Sequence, residues 1–394
     1  MSMVSRLQKG NVGDGGHPPF STRPNWIDID LAALDHNVSV ARSLLQPGTR
    51  IHACVKSSAY GCDVVEVSKR FHSVGVEALC CGTYEEAVAI RAALPKAQLI
   101  MFGAALPDGV SDYLKHGLTP TIHNLELAQA VSKHSAGPTK IHIKVDSGWG
   151  RLGFPLPLAK PSILRIARMP RIEIEAVYTH LPFTDASGRS YAQQRTTAFC
   201  EFIEDLRREG LTIPITQARA SNAVMMGLID NCNAIAAGSI LYGKSSARRD
   251  MADFSQLRPV LKCVRSKLIH VLPDYPGKTV GRTTGTHGRP TPLFSGTTGV
   301  IPFGRRDGYA SATAGQTAYV LVRGQRAPVL AVNSELSVID LSQVDDPRIG
   351  EEVVVMGEGL SDTITLDEIA KWQAAGLTDV LVRMSGRTPR VFHG

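Results

Sequence analysis

Residues 78–103 read ALCCGTYEEAVAIRAALPKAQLIMFG. ALCCGT is an apolar run of strand type, Thr83 stands three residues before Glu86 in capping-box spacing, YEEAVAIRAAL carries apolar residues at helical period, and AQLIMFG returns to strand-like text. Strand, helix, strand in one short stretch is a βαβ unit, which predicts parallel strands. The rhythm continues outward in both directions. Strand-like runs are WIDIDL from Trp26, RIHACVK from Arg50, TPTIH from Thr119, KIHIKVD from Lys140, IEIEAVYTH from Ile172, ITQARAS from Ile215 and AIAAGS from Ala234. Helical stretches separate them, among them LAALDHNVSVARSLL, DVVEVSKRFHSVG, LELAQAVSKHS and YAQQRTTAFCEFIEDLRREG, with Asp63 and Asn124 as further capping residues. Repeated units in this number predict an α/β fold, a (β/α)8 barrel of TIM type preceded by one extra strand. The rival, an open doubly wound sheet, would want a G-x-G-x-x-G turn after its first strand, and that turn is absent.

Past Ser255 the helical units stop. LKCVRSKLIHVL, TGVIPF, TAYVLVRG, APVLAVN, LSVIDLS and EEVVVMG are short alternating runs between Gly and Pro, interrupted by one helix, LDEIAKWQAAG, and ending in DVLVRMSGRTPRV. The chain therefore divides into a Gly/Pro/Ser-rich lead-in (1–24), a barrel (25–255) and a mostly β domain (256–394), with a long Gly/Thr/Pro loop from Gly277 to Gly296. With 394 residues and 43% hydrophobic content, disorder and small disulfide scaffolds are excluded. The net charge of +7 is dispersed, and no Lys/Arg block interleaves with aromatics, which argues against a nucleic-acid partner. Seven cysteines, odd in number and mostly in apolar runs without a C-x-x-C pair, read as reduced core thiols. No apolar stretch reaches the roughly 18 residues of a membrane span and no signal peptide is apparent, so a cytoplasmic protein is expected.

Barrel enzymes place their sites where strands end, and polar residues gather there in this sequence. Lys56 closes HACVK. An ammonium there is either paired, lowered in pKa and suited to forming a Schiff base with a carbonyl, or snorkelling to the rim on a packed stem. Gly238 and Ser239 after AIAA, with Tyr60 and the Ser221/Asn222 pair, could donate to a phosphate or could simply turn the chain. Arg151 offers a fork for a phenolate or carboxylate, or is a lone surface arginine. His180 ends EAVYTH as a site residue or a satisfied core histidine.

ACVKSSAYG, KVDSGWGRLGF, AVYTHL, ASNAV, GSILYG, RRDGY and the terminal RTPR, in that order, resemble the successive motifs of the alanine racemase family, pyridoxal 5′-phosphate (PLP) enzymes of barrel plus β-domain type. The resemblance runs from Trp26 to the C-terminus. It implies that Lys56 forms the Schiff base with PLP and is the base on one face of the α-carbon. Tyr60, Ser221, Asn222, Gly238 and Ser239 would surround the phosphate, Arg151 would bond the pyridine 3-hydroxyl oxygen, and His180 would lie near the ring face. Lys144 falls where many relatives carry a carbamylated lysine. The family's homodimer shares its active sites between subunits, and no metal is expected.

The departures fall in the substrate half. The arginine that meets the pyridine nitrogen in the family corresponds to Ala236, leaving that nitrogen open to protonation. The second catalytic tyrosine corresponds to Arg282, or to Val280 in the other possible register, and neither is a usable base; His287 in the same loop is the nearby group of suitable pKa. The entrance tyrosines correspond to Arg305 and Thr378, and the substrate-facing Met-Asp pair to Ser334 and Glu335. Together with Arg306, these changes imply a mouth for a larger or anionic amino acid. A racemase or epimerase for something other than plain alanine is the leading expectation. Decarboxylation, aldol cleavage, elimination or transamination on the same fold, and PLP binding without turnover, are the alternatives.

Overall fold

Ala78–Cys81 is a strand, Tyr84–Ala93 a helix and Leu99–Met101 the next strand. Thr83 caps that helix as the spacing predicts: its hydroxyl accepts from the Glu86 amide, and the Glu86 carboxylate accepts from the Thr83 amide. The structure is a computed structural model that describes residues 23–245, 251–280, 293–384 and 386–394. Two units emerge, Leu31–Pro259 and a second that joins the strand Trp26–Asp30 to Val260–Gly394.

In chain order the first ten strands are β1 (Trp26–Asp30), β2 (Arg50–Cys54), β3 (Ala78–Cys81), β4 (Leu99–Met101), β5 (Thr119–Ile122), β6 (Thr139–Asp146), β7 (Phe154–Pro155), β8 (Ile172–Tyr178), β9 (Ile215–Ala220) and β10 (Ala234–Ala237). Eight of them, β2, β3, β4, β5, β6, β8, β9 and β10, pair in parallel in that order, and β10 returns to β2, closing the barrel. The short β7 pairs only with the end of β6. Asp63 and Asn124 cap their helices as expected, each accepting from main-chain amides. The long helix Ala186–Arg208 begins ahead of the expected Tyr191, because Asp185 accepts from the Gly188 amide and so starts a turn that the Ser/Gly composition hides. Ile141, Ile143 and Val145 of β6 and Val177 of β8 share a buried cluster with Phe199, Ile203 and Leu206 of that helix. Burying each such side chain contributes about 1.5–3 kcal/mol against the exposed state.

A buried polar cluster links β6 and β8. The Glu175 carboxylate accepts from Gln98 at 2.7 Å and Lys140 at 2.9 Å and meets His142 at 3.0 Å. Burial would raise the Glu175 carboxyl, but the hydrogen bonds from His142 and Lys140 outweigh it and bring it down to about 2. Burial, with His142 alongside, pushes His52 down to about 3, so its imidazole is neutral.

The second unit corrects two expectations. β1 is not an extra barrel strand: it pairs antiparallel with Leu261–Lys267 and parallel with Arg390–His393, and Asp28 holds both neighbours through Arg265 and His393. An apolar strand suits either unit, and its partners lie too far along the chain for local pattern to choose between them. The run LTDVLVR is a helix, Leu377–Arg383, whose first turn Asp379 caps by accepting from the Gly376 amide. Otherwise the unit is mostly β as expected, with the remaining helix at Leu366–Trp372. No helix among the described residues is long and apolar enough to cross a membrane, and all seven cysteines are free.

Candidate active site

Lys56 follows β2 and opens a turn in which Ser57, Ser58, Ala59 and Tyr60 all have φ between 52° and 56°. Left-handed backbone costs a non-glycine residue roughly 1–2 kcal/mol, so four in succession is strain of a kind that collects at functional sites. The Glu86 carboxylate restrains it, accepting from the Ser58 amide at 2.7 Å and from the Gly82 and Thr83 amides at 3.1 Å. Gly82 is required beside Lys56, since a Cβ there would stand 2.8 Å from the Lys56 Cβ. The sequence reading passed over Glu86 and Gly82 as site residues; the capping-box glutamate was the signal that could have marked the first.

The turn delivers Tyr60, buried, to the end of β10. There a Cβ on Gly238 would lie 2.7 Å from the Tyr60 hydroxyl, so only glycine leaves room for that contact. The Gly238 amide donates to Ser221 Oγ at 2.9 Å. Asn222 instead donates to the Phe183 carbonyl at 2.7 Å and accepts from Ser245. Of the reversed Ser-Asn pair, then, it is Ser221 that meets the glycine turn. The Tyr60 ring packs against Tyr242 at 4.7 Å, and the Tyr242 hydroxyl donates to the Cys54 carbonyl. Gly238 and Ser239 open the short turn Ser239–Tyr242, and Ala236 lies buried on β10 between His52 and Ala220.

Across the barrel mouth, Lys144 of β6 is buried with Nζ 4.6 Å above the Tyr178 ring. Burial, reinforced by Arg151, pulls the Lys144 ammonium down to about 8. Phe102 stacks on Tyr178 at 5.3 Å, and the Tyr178 hydroxyl meets Thr121. After β6 the Asp146 carboxylate accepts from the amides of Gly148, Trp149 and Gly150, which shapes the SGWGR loop. Burial tends to raise that carboxyl, yet the amide hydrogen bonds hold it below its ordinary range. The Arg151 guanidinium lies 3.6 Å from the Trp149 ring centroid, and the Trp149 and His180 rings are 5.0 Å apart. Trp149, 38% exposed, is a third residue that the sequence reading missed; its aromatic type inside the arginine loop was the signal. His180 is pushed down to about 3 by burial first, then by the nearby charges of Lys144, Lys56 and Arg151.

The residues that sequence placed at different strand ends thus come together: Lys56, Tyr60, Arg151, His180, Ser221, Asn222, Gly238 and Ser239 all belong to the barrel unit. The other expected residues are in the β unit or undescribed. Arg282 and His287 lie outside the described residues. Arg305 is exposed, and its guanidinium donates to Ser311. The Ser334 carbonyl accepts from the Arg306 amide. The Glu335 carboxylate is paired with Arg387 and with Arg23, and the hydrogen bond from Arg387 keeps it below its ordinary range.

The chain matches the alanine racemase N-terminal domain over residues 29–246 and the alanine racemase C-terminal domain over 264–392. The alanine racemase of Methanococcus maripaludis is 28% identical over 378 residues, covering 94% of this chain and 99% of its own. That of Halothermothrix orenii is 29% identical over 376 residues, covering 94% and 97%. Among solved structures, alanine racemase from Clostridium difficile 630 superposes with a TM-score of 0.83 at 26% identity, covering 94% of this chain and 96% of that one. The Bacillus anthracis alanine racemase with bound L-Ala-P gives 0.85 at 25%, covering 96% of each chain. With both domains matched in order along a barrel that gathers a lysine, a glycine cradle and two further cations at its mouth, the chain belongs to the alanine racemase family and is an enzyme of racemase type.

Proposed function

We propose that this protein binds PLP at the carboxyl ends of its barrel strands and changes configuration at the α-carbon of an amino acid other than plain alanine. The observation that carries this reading is the glycine cradle, in which Gly238 leaves just the space that the Tyr60 hydroxyl needs, with Ser221 on its amide and the Lys56 amine in the same unit. Donors grouped in this way fit a phosphate, and Lys56, Lys144 and Arg151 together fit an anionic cofactor and a carboxylate. When bound, PLP supplies an electron sink for negative charge developing at the α-carbon. Lys56 would hold the cofactor through its aldehyde carbon and would serve as the base at the α-carbon of the substrate. Tyr60, Ser221, Gly238 and Ser239 would hold the phosphate, Arg151 would bond the phenolic oxygen, and His180, kept neutral by burial, would face the cofactor ring. As the family resemblance implies, Arg305, Ser334 and Glu335 would shape the approach of an anionic or larger substrate, and for a proton donor at the second face the sequence offers His287, in the same loop as Arg282. The protein acts as a homodimer, the assembly implied by its family.

Ala236 favours a second reading. An aliphatic side chain at that position leaves the pyridine nitrogen free to protonate, which suits decarboxylation, elimination or transamination with a single base. Single amino-acid enantiomers incubated with the holoenzyme in D2O separate the two: α-deuteration with inversion is expected, and deuteration of one enantiomer without inversion, or loss of a group, would exclude racemisation.

A further inference from the structure

Lys244 follows Tyr242 and Gly243 in GSILYGKSS. Gly243 turns the chain at φ 72° where a Cβ would collide with the Arg258 carbonyl, and the Lys244 amide donates to the Ser239 carbonyl at 3.1 Å. The backbone of Lys244 is thereby tied to the residue next to Gly238. Its side chain is 9% exposed, and Nζ has no hydrogen-bond partner among the described residues. What Nζ does face is the Tyr60 ring, 4.5 Å from its centroid. Burial draws the ammonium down to about 8, opposed only by Cys62. A buried cation whose donors find no partner among the described residues is unfavourable in isolation and becomes favourable when an anion arrives with hydrogen-bond acceptors. Tyr60 joins the two features, its ring face under Nζ and its hydroxyl against the Gly238 turn.

We propose that Lys244 is a ligand of the cofactor's phosphate group, supplying positive charge to a cradle that otherwise consists of hydroxyls and main-chain amides. The inference rests on the PLP reading above and adds a residue to it. Nothing in the motifs marked Lys244, because a lysine after a glycine turn reads as an exposed side chain.

The test compares aldehydes with and without the phosphate. The full chain, dialysed free of aldehyde, is titrated with PLP and with pyridoxal, and the bound fraction is followed by the near-visible absorbance band and its bleaching by borohydride. Lys244→Met is expected to weaken PLP binding by about tenfold or more, the range of a hydrogen bond to a charged group, while leaving pyridoxal binding unchanged. Lys244→Arg should restore most of the PLP affinity. Inorganic phosphate should compete with PLP in the original chain and much less in Lys244→Met. Undiminished PLP affinity in Lys244→Met, or parallel loss of both aldehydes in a variant whose melting is unaltered, would overturn the role of Lys244 and leave the PLP reading standing. Failure of the original chain to take up either aldehyde would overturn that reading itself.

Discussion

Gly238 shows how little space decides the candidate site. A methyl group there would come within 2.7 Å of a phenolic oxygen whose ring is held on one side by Tyr242 and faced on another by Lys244. A buried ring so confined cannot swing aside as a surface side chain can. Gly238→Ala should therefore displace the Tyr60 hydroxyl at an overpacking penalty of about 1–3 kcal/mol and weaken PLP binding. Absorbance titration measures the loss, and adding Tyr60→Phe, which removes the colliding oxygen, should recover part of the stability seen in thermal melting. If Gly238→Ala alone binds and melts like the original chain, the close approach is not a constraint.

At the scale of elements, the helix Tyr84–Ala93 has two jobs. Its capping box ends the loop from β3, and the same Glu86 carboxylate pins the left-handed turn that carries Lys56 into Tyr60. Four residues at positive φ persist only where their surroundings over-determine them, and the bond from Ser58 to Glu86 adds a side-chain restraint to the main-chain bonds that Ala59, Gly61 and Asp63 make within the turn. Glu86→Ala removes acceptors from three amides at once and should destabilise the barrel by about 2 kcal/mol, measured by urea denaturation. It should also lower PLP affinity, since Tyr60 loses its fixed approach; a variant that lost stability with unaltered affinity would show that the turn holds without Glu86. The capping box was plain in the spacing of Thr83 and Glu86, whereas its second task depended on a turn whose dihedral angles no residue type announces.

For the whole molecule, the polar cluster within the barrel sets an acid limit. His52 is lowered from 6.5 to about 3, so the unfolded chain takes up a proton that the folded one refuses: stability falls as pH drops from 6.5 toward 3. Glu175 is lowered from 4.5 to about 2, so its contribution is present above 4.5 and is lost as pH falls from there toward 2. Both act in one direction. Urea midpoints measured from pH 7 to pH 4 should decline, His52 accounting for at most about 1.4 kcal/mol per pH unit. His52→Gln should flatten the decline between pH 6.5 and 4.5, and an unchanged slope would mean that the buried imidazole is not its source. Much of the molecule was legible beforehand. Eight of the nine strand-like runs before Ser255 are the barrel strands, because apolar runs and helical period report burial, a local property of residue type. Lys56, Tyr60, Arg151, His180, Ser221 and Gly238 stood at strand ends, and closing a parallel barrel carries such ends to one face. The sequence by itself therefore determined the strand-helix rhythm, the barrel and the chemical kinds of group at its mouth. Only the tertiary structure decided that β1 pairs with the C-terminal strand, that LTDVLVR is helical, that Trp149 lies between Arg151 and His180, and that Lys244 is a buried cation beside Tyr60. The pairing of β1, the seating of Trp149 against His180 and the burial of Lys244 rest on contacts between residues far apart in the chain, which leave no periodic signature in the order of side chains, and the LTDVLVR helix rests on a local cap that its alternating apolar residues mask.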